Sequence, residues 1–144
     1  MREILFRGQT RRFGEKVKNF AGDPMPSNWV YGGVCCGKGA FSIIYDYMDE
    51  EKEKPIEKHV VYTDTIGQYT GLTDKNGKKI FEGDIMPVYE QGEEYYYKVV
   101  YNGDCFMLAM LDSEQGSYPL SAKNAISEVI GNIHDNHELL KGGE

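Results

Sequence analysis

Apolar and polar residues alternate along this chain in short stretches, and none of them sustains the period of a long helix. The clearest case runs from Tyr95 to Tyr101. Tyr95, Tyr97, Val99 and Tyr101 take every second position, with Tyr96, Lys98 and Val100 between them, so the two sets face opposite sides of a strand. Similar extended stretches are predicted at Arg2–Gly8, Trp29–Gly32, Ala40–Tyr45, Val60–Thr63, Ile85–Tyr89, Cys105–Leu111 and Ser127–Ile133. The glycine cluster Gly37-Lys38-Gly39 turns the second of these into the third as a hairpin. Asp74-Lys75-Asn76-Gly77, between Tyr69–Leu72 and Lys79–Phe81, is the strongest local signal, because Asn-Gly is the preferred pair of a tight hairpin turn. Glu82-Gly83-Asp84, Gln91-Gly92-Glu93 and Asn102-Gly103-Asp104 reverse the chain again. Pro87 donates no ladder hydrogen bond, which places its strand at an edge or beside a bulge.

The remaining segments are polar. Gln9–Lys18 is polar and basic, and a dense set of turn formers follows at 22–28. The segment 46–58 is the most hydrophilic and reads as an exposed charged loop. Asp112–Lys123 is polar and contains Gly116 and Pro119. His134–Leu140 reads as a short helical turn capped at Asp135 or Asn136, with Leu139 and Leu140 folding back on the core. The expected fold is mostly β: short antiparallel strands form an SH3-like barrel over 66–144, with an N-terminal β-hairpin region over 1–65 packed on it and few helical turns. The two regions are compatible with one continuous domain.

Composition sharpens this picture. Seventeen glycines and eleven tyrosines among 144 residues suit turns and half-buried pleated surfaces. Lys and Arg number 16 against 23 Asp and Glu, a net charge of −7, which argues against a broad nucleic-acid footprint. The longest apolar runs fall far short of the roughly 20 residues of a spanning helix. The first residues show no apolar run leading to a small-residue cleavage site, and Cys35, Cys36 and Cys105 do not form a disulfide framework. The expected compartment is the cytoplasm.

Four stretches carry a family resemblance: Arg2–Gly8, Trp29–Gly32, the long run from Ile66 to Ile85, and Val129-Ile130-Gly131-Asn132-Ile133 followed by His137-Glu138-Leu139-Leu140. In that order they resemble the YopX family, found mainly in phages and prophages. Two departures stand out. Met86-Pro87 stand where the family usually has a hydrophobic residue followed by a basic or polar continuation, and His137 stands where the family commonly has proline. The resemblance implies a mostly β protein with an SH3-like barrel, often oligomeric, and brings no catalytic residues.

Candidate chemistry is sparse. His134, His137 and Glu138 share a helical turn and offer zinc ligands, but no fourth ligand has matching spacing, so a capping turn explains them. Adjacent cysteines on a strand point apart, and a cysteine nucleophile would need a base such as His59 brought to it. Gly37–Ser42 lacks the ending and following helix of a phosphate loop. Gly71, Gly77 and Gly83 with Asp74 and Asp84 do not match the spacing of a calcium loop, and the aspartates suit bonds to their own turn amides. No catalytic, metal or cofactor residue is therefore predicted, and the chain is read as a non-enzyme. Tyr89, Tyr95, Tyr96, Tyr97 and Trp29 are the candidate interaction surface for a protein partner or a second copy. A nucleic-acid partner is the second reading, through a stripe of Arg2, Arg7, Arg11, Arg12, Lys16 and Lys18. No membrane partner is expected.

Overall fold

The computed structural model describes residues 4–11, 28–35, 39–45, 58–113, 115–136 and 139. The chain divides into two compact units, one of Glu3–Gln68 and one whose continuous part is Tyr69–Glu144. Both are built from antiparallel strands, and the protein is mostly β.

In the first unit, strands β1 (Phe6–Arg11), β2 (Asn28–Cys35), β3 (Phe41–Tyr45) and β4 (Lys58–Tyr62) pair in sequence order. The β2–β3 hairpin read from its glycine loop is present, with Val34 opposite Ile44. Alternation sorts the side chains: Ser42, Ile44 and Val61 are buried, while Phe41, Tyr45 and Val60 on the other face are exposed. A Cβ on Gly8 would lie 3.0 Å from Val61 Cγ2 and 3.1 Å from Ile44 Cδ1, so glycine lets β1 close on the buried pair. The strand expected to stop at Gly8 runs on to Arg11. Pairing with β2 carries it on, Gln9 opposite Trp29 and Arg11 opposite Asn28, and the Gln9 N–H donates to Thr65 Oγ1 (2.9 Å), whose hydroxyl donates to the Tyr62 carbonyl (2.7 Å). Thr65 belongs to a 3-10 turn at Thr63–Thr65, after which Gly67 and Gln68 begin β5 (Gly67–Thr73) by pairing with Arg7 and Phe6. Of the charged loop expected at 46–58, only Lys58 is described, and it opens β4.

In the second unit, β5 continues into a hairpin with β6 (Lys79–Phe81), Tyr69 standing opposite Phe81. Strands β7 (Asp84–Glu90), β8 (Glu93–Asn102), β9 (Cys105–Met110), β10 (Gly116–Pro119) and β11 (Gly131–Asn132) form a sheet ordered β10-β9-β8-β7-β11. Its core is Ile80, Met86, Val88, Tyr97, Val99, Phe106, Leu108 and Leu120, with Leu72, Tyr118 and Val129 packed against it. Two short 3-10 turns, Leu120–Ala122 and Asn124–Ile126, follow β10.

Three expectations change here. The polar segment 112–123 contains β10, which pairs with β9 across a register shift between Gly116 and Tyr118. The strand expected at Ser127–Ile133 contracts to Gly131–Asn132, because Ser127–Ile130 meets β7 through single bonds rather than a ladder. The Ser127 hydroxyl donates to the Pro87 carbonyl and the Ile130 N–H to the Ile85 carbonyl (2.9 Å). Residues 85 and 87 thus turn their backbone away from β8, and the donor that Pro87 lacks falls on the outer edge, beyond the end of β11. The barrel expectation is not met: β10 and β11 stand at opposite ends of the sheet, and no closed barrel forms among the described residues.

Asp74 fastens the β5–β6 hairpin. Its Oδ1 accepts the N–H groups of Asn76 (2.9 Å) and Lys78 (3.0 Å), and its Oδ2 accepts that of Val129 (2.9 Å). Burial alone would raise this carboxyl, but the amides of Val129, Lys78 and Asn76 and the charge of Lys78 outweigh it and hold the group below its ordinary range. Asp84 likewise accepts the Phe81 N–H (2.8 Å). Both aspartates bond turn amides, as expected of them. No helix among the described residues is long and apolar enough to cross a membrane.

Candidate functional site

The β7–β8 hairpin carries most of the residues singled out by the sequence. Its turn is Gln91-Gly92, with φ of 50° and 81°, the left-handed pair of a tight two-residue hairpin. Register then assigns faces. Glu90 stands opposite Glu93, Tyr89 opposite Glu94, Val88 opposite Tyr95, Pro87 opposite Tyr96 and Met86 opposite Tyr97. One face therefore holds Met86, Val88, Glu90, Glu93, Tyr95 and Tyr97. The other holds Pro87, Tyr89, Glu94 and Tyr96.

On the first face the tyrosines run from core to water. Tyr97 is only 5% exposed and belongs to the core, whereas Tyr95 is 42% exposed near the turn. The Tyr97 hydroxyl donates to Glu90 Oε1 (2.9 Å), and the Tyr118 hydroxyl of β10 donates to the same oxygen. The two rings meet edge to face with centroids 5.6 Å apart, and Lys123 Nζ lies 4.8 Å from the Tyr118 centroid. Hydrogen bonds from Tyr118 and Tyr97, with a contribution from the Lys123 charge, hold Glu90 below the ordinary glutamate range. Burial and the Glu90 bond push the Tyr97 phenol well up, and the Glu90 bond raises Tyr118. Glu90 thus stays ionised and both phenols stay protonated at neutral pH, an arrangement that clamps β10 to the hairpin. Nearer the turn, the Tyr95 hydroxyl donates to Glu93 Oε2 (2.7 Å), and that bond raises the Tyr95 phenol.

On the second face Tyr89 is 71% exposed and Tyr96 is half-buried. The fifth candidate, Trp29, is half-buried on β2 in the first unit, where the Arg7 guanidinium sits 4.5 Å from its ring centroid. The hairpin therefore gathers Tyr89, Tyr95, Tyr96 and Tyr97, while Trp29 stands in a different unit. Arg7 is itself buried and offers nothing to a surface stripe; Arg2, Arg12, Lys16 and Lys18 lie outside the described residues.

Sequence reasoning missed Glu90, Tyr118 and Lys123 as members of one cluster. The only local hint was Gly116 and Pro119 bracketing Tyr118 in an otherwise polar stretch. No group of three or more His, Cys, Asp or Glu side chains placed to hold a metal occurs among the described residues. His137 and Glu138 lie outside them, and His134 packs near Gly83. Cys35 and Cys105 are exposed free thiols, and Cys36 lies outside the described residues.

Comparison with known proteins adds three findings. The family described as YopX protein matches residues 29–141. Comparison with curated proteins finds no match. Among solved structures, the chain is similar to protein EF1440 from Enterococcus faecalis, at 28% identity over 69% of this chain and 74% of that one, with a TM-score of 0.40.

Proposed function

The chain belongs to the YopX family, and on that premise we propose that it is a non-catalytic protein-interaction or oligomerisation module, an accessory protein of a phage or prophage acting in the cytoplasm. The observation that carries this reading is the exposure of aromatic side chains on rigid strands. Tyr89 and Tyr95 stand out from the β7–β8 hairpin, and Phe41, Tyr45 and Val60 line one face of β3–β4. Aromatic rings held on paired strands offer contact area at low entropic cost, the usual makings of a protein contact. The buried carboxylates and phenols, by contrast, are spent on holding turns and strands together. Within the same reading, the second unit is an open form of the SH3-like barrel. Ile80 of the β5–β6 hairpin belongs to the sheet core and Leu72 packs against it, which supports that reading.

Size-exclusion chromatography with light scattering at micromolar concentration, together with affinity capture from cell lysate, tests the proposal. The expected result is either self-association or the specific retention of a partner. A strict monomer that retains nothing overturns it.

A further inference from the structure

The tip of the β7–β8 hairpin is electrostatically one-sided. From Pro87 to Tyr97 the sequence holds Glu90, Glu93 and Glu94 and no Lys or Arg. Glu90 and Glu93 face each other directly across the ladder, a pairing of like charges that destabilises a hairpin. Tyrosine hydroxyls occupy one oxygen of each without cancelling charge, and the Lys123 charge acts on Glu90. On the opposite face Glu94 stands directly across from Tyr89, with Tyr96 two positions further along β8. Among the described residues, neither the Glu94 carboxylate nor the Tyr89 hydroxyl has a hydrogen-bond or ion-pair partner. An exposed phenol ring beside a free carboxylate, on a strand pair fixed by a tight turn, is the counterpart of a guanidinium. The ring face attracts the cation, and the carboxylate takes its N–H donors.

We propose that this hairpin tip binds an arginine-bearing segment of another protein, one guanidinium stacking on Tyr89 and pairing with Glu94. The inference rests on the reading of the chain as a protein-interaction module and names the partner's chemistry. Arginine is specified over lysine because a planar guanidinium both stacks and forks, while an ammonium is a hydrated point charge. The partner's charge acts first at Glu94, while Glu90 on the opposite face already feels the charge of Lys123.

The test uses the full chain and a fluorescently labelled octapeptide of alternating glycine and arginine, titrated by anisotropy at about 25 mM and about 200 mM salt. Glu94→Lys is expected to weaken binding at least about tenfold and Tyr89→Ala about fivefold at the lower salt. The lysine version of the peptide should bind several-fold more weakly than the arginine version. Glu128→Lys, a charge reversal at a carboxylate bonded to Asn76, serves as the control and should leave the affinity within about twofold. Both hairpin substitutions alter exposed side chains, and circular dichroism confirms that the fold is kept. If Glu94→Lys and Tyr89→Ala bind like the unaltered chain, or if Glu128→Lys weakens binding as much as Glu94→Lys, the attraction is diffuse and the proposal is overturned. If a lysate partner is retained equally by the chain and by both hairpin variants, the site assigned here is wrong while the module reading stands.

Discussion

Two hairpins of the second unit use acidic side chains in opposite ways. In the β5–β6 hairpin, Asp74 turns inward and distributes its two oxygens over three backbone amides, one of them 55 residues away at Val129. In the β7–β8 hairpin, Glu90 and Glu93 accept only tyrosine hydroxyls, and Glu94 accepts nothing among the described residues. The difference is one of reach and solvent. A short aspartate within a turn meets amides that would otherwise go unsatisfied, so its charge stabilises the fold. Glutamates on strand ends stay in water, where the same charge contributes little to stability and remains free to act on a partner.

The comparison breaks most visibly at Asp74. Asp74→Ala is expected to cost about 3 kcal/mol, read as a fall in the urea unfolding midpoint, because three amides lose a charged acceptor and burial keeps water from replacing it. Asp74→Asn should cost nearly as much, since an amide presents one oxygen where two are needed. The folded pKa of Asp74 is lowered, so its contribution is fully present above the ordinary aspartate value of about 3.9 and is lost as pH falls through the lower folded value. The unaltered chain should therefore lose urea resistance through that acid window, while Asp74→Ala loses less. Equal acid profiles for the two chains would show that the three bonds do not act as a staple.

At the other hairpin the decisive titration is alkaline. Tyr97 has a raised pKa, so its contribution is fully present below the ordinary tyrosine value of about 10 and is lost as pH rises towards the folded one. Difference absorbance of tyrosinate in the folded chain should stop short of eleven residues, reaching eleven only after denaturation. In a Tyr97→Phe chain the folded and unfolded totals should differ by one fewer. A Tyr97 that ionises with the surface tyrosines would place it outside the core. The turns themselves should not discriminate between the hairpins. Gly77 and Gly92 have φ of 82° and 81°, and a Cβ at either meets nothing within 4 Å. Alanine is expected to cost about 1 kcal/mol at each from backbone strain alone, measured by the same urea midpoints.

What the sequence made legible was local. The two-residue period of Tyr95–Tyr101 assigns faces correctly, and Asn76-Gly77 marks its hairpin, because both signals lie within a few residues of what they determine. Features that depend on distant partners were not legible. Gln9 is polar, yet it lies buried in a strand, and its backbone N–H donates to Thr65, 56 positions later. Tyr118 joins the site through Glu90, 28 positions earlier, and no periodicity in a four-residue strand announces it. Ser127–Ile133 has the composition of a strand but meets β7 mostly by single bonds, since Pro87 leaves part of that edge without a donor. Tyr97 and Tyr89 were one candidate surface by composition; pairing register alone separates the core ring from the exposed one.

The smallest expected effect is the most specific to the outward-facing hairpin. Glu90→Gln keeps an oxygen that accepts the hydroxyls of Tyr97 and Tyr118 and removes only the charge, which also ends the opposition to Glu93. These consequences pull in opposite directions. The lowered pKa of Glu90 indicates that the folded chain favours the charged form, through the hydroxyls of Tyr118 and Tyr97 and then the charge of Lys123. The unaltered chain should therefore be slightly the more stable at pH 7. That advantage should be complete above the ordinary glutamate value of about 4.3 and vanish as pH falls through the lower folded value. Paired urea midpoints of the two chains across that window measure it. A Glu90→Gln chain more stable than the original at pH 7 would mean that repulsion from Glu93 outweighs the tyrosine clamp, and that the hairpin tip carries even more unrelieved charge than its hydrogen bonds suggest.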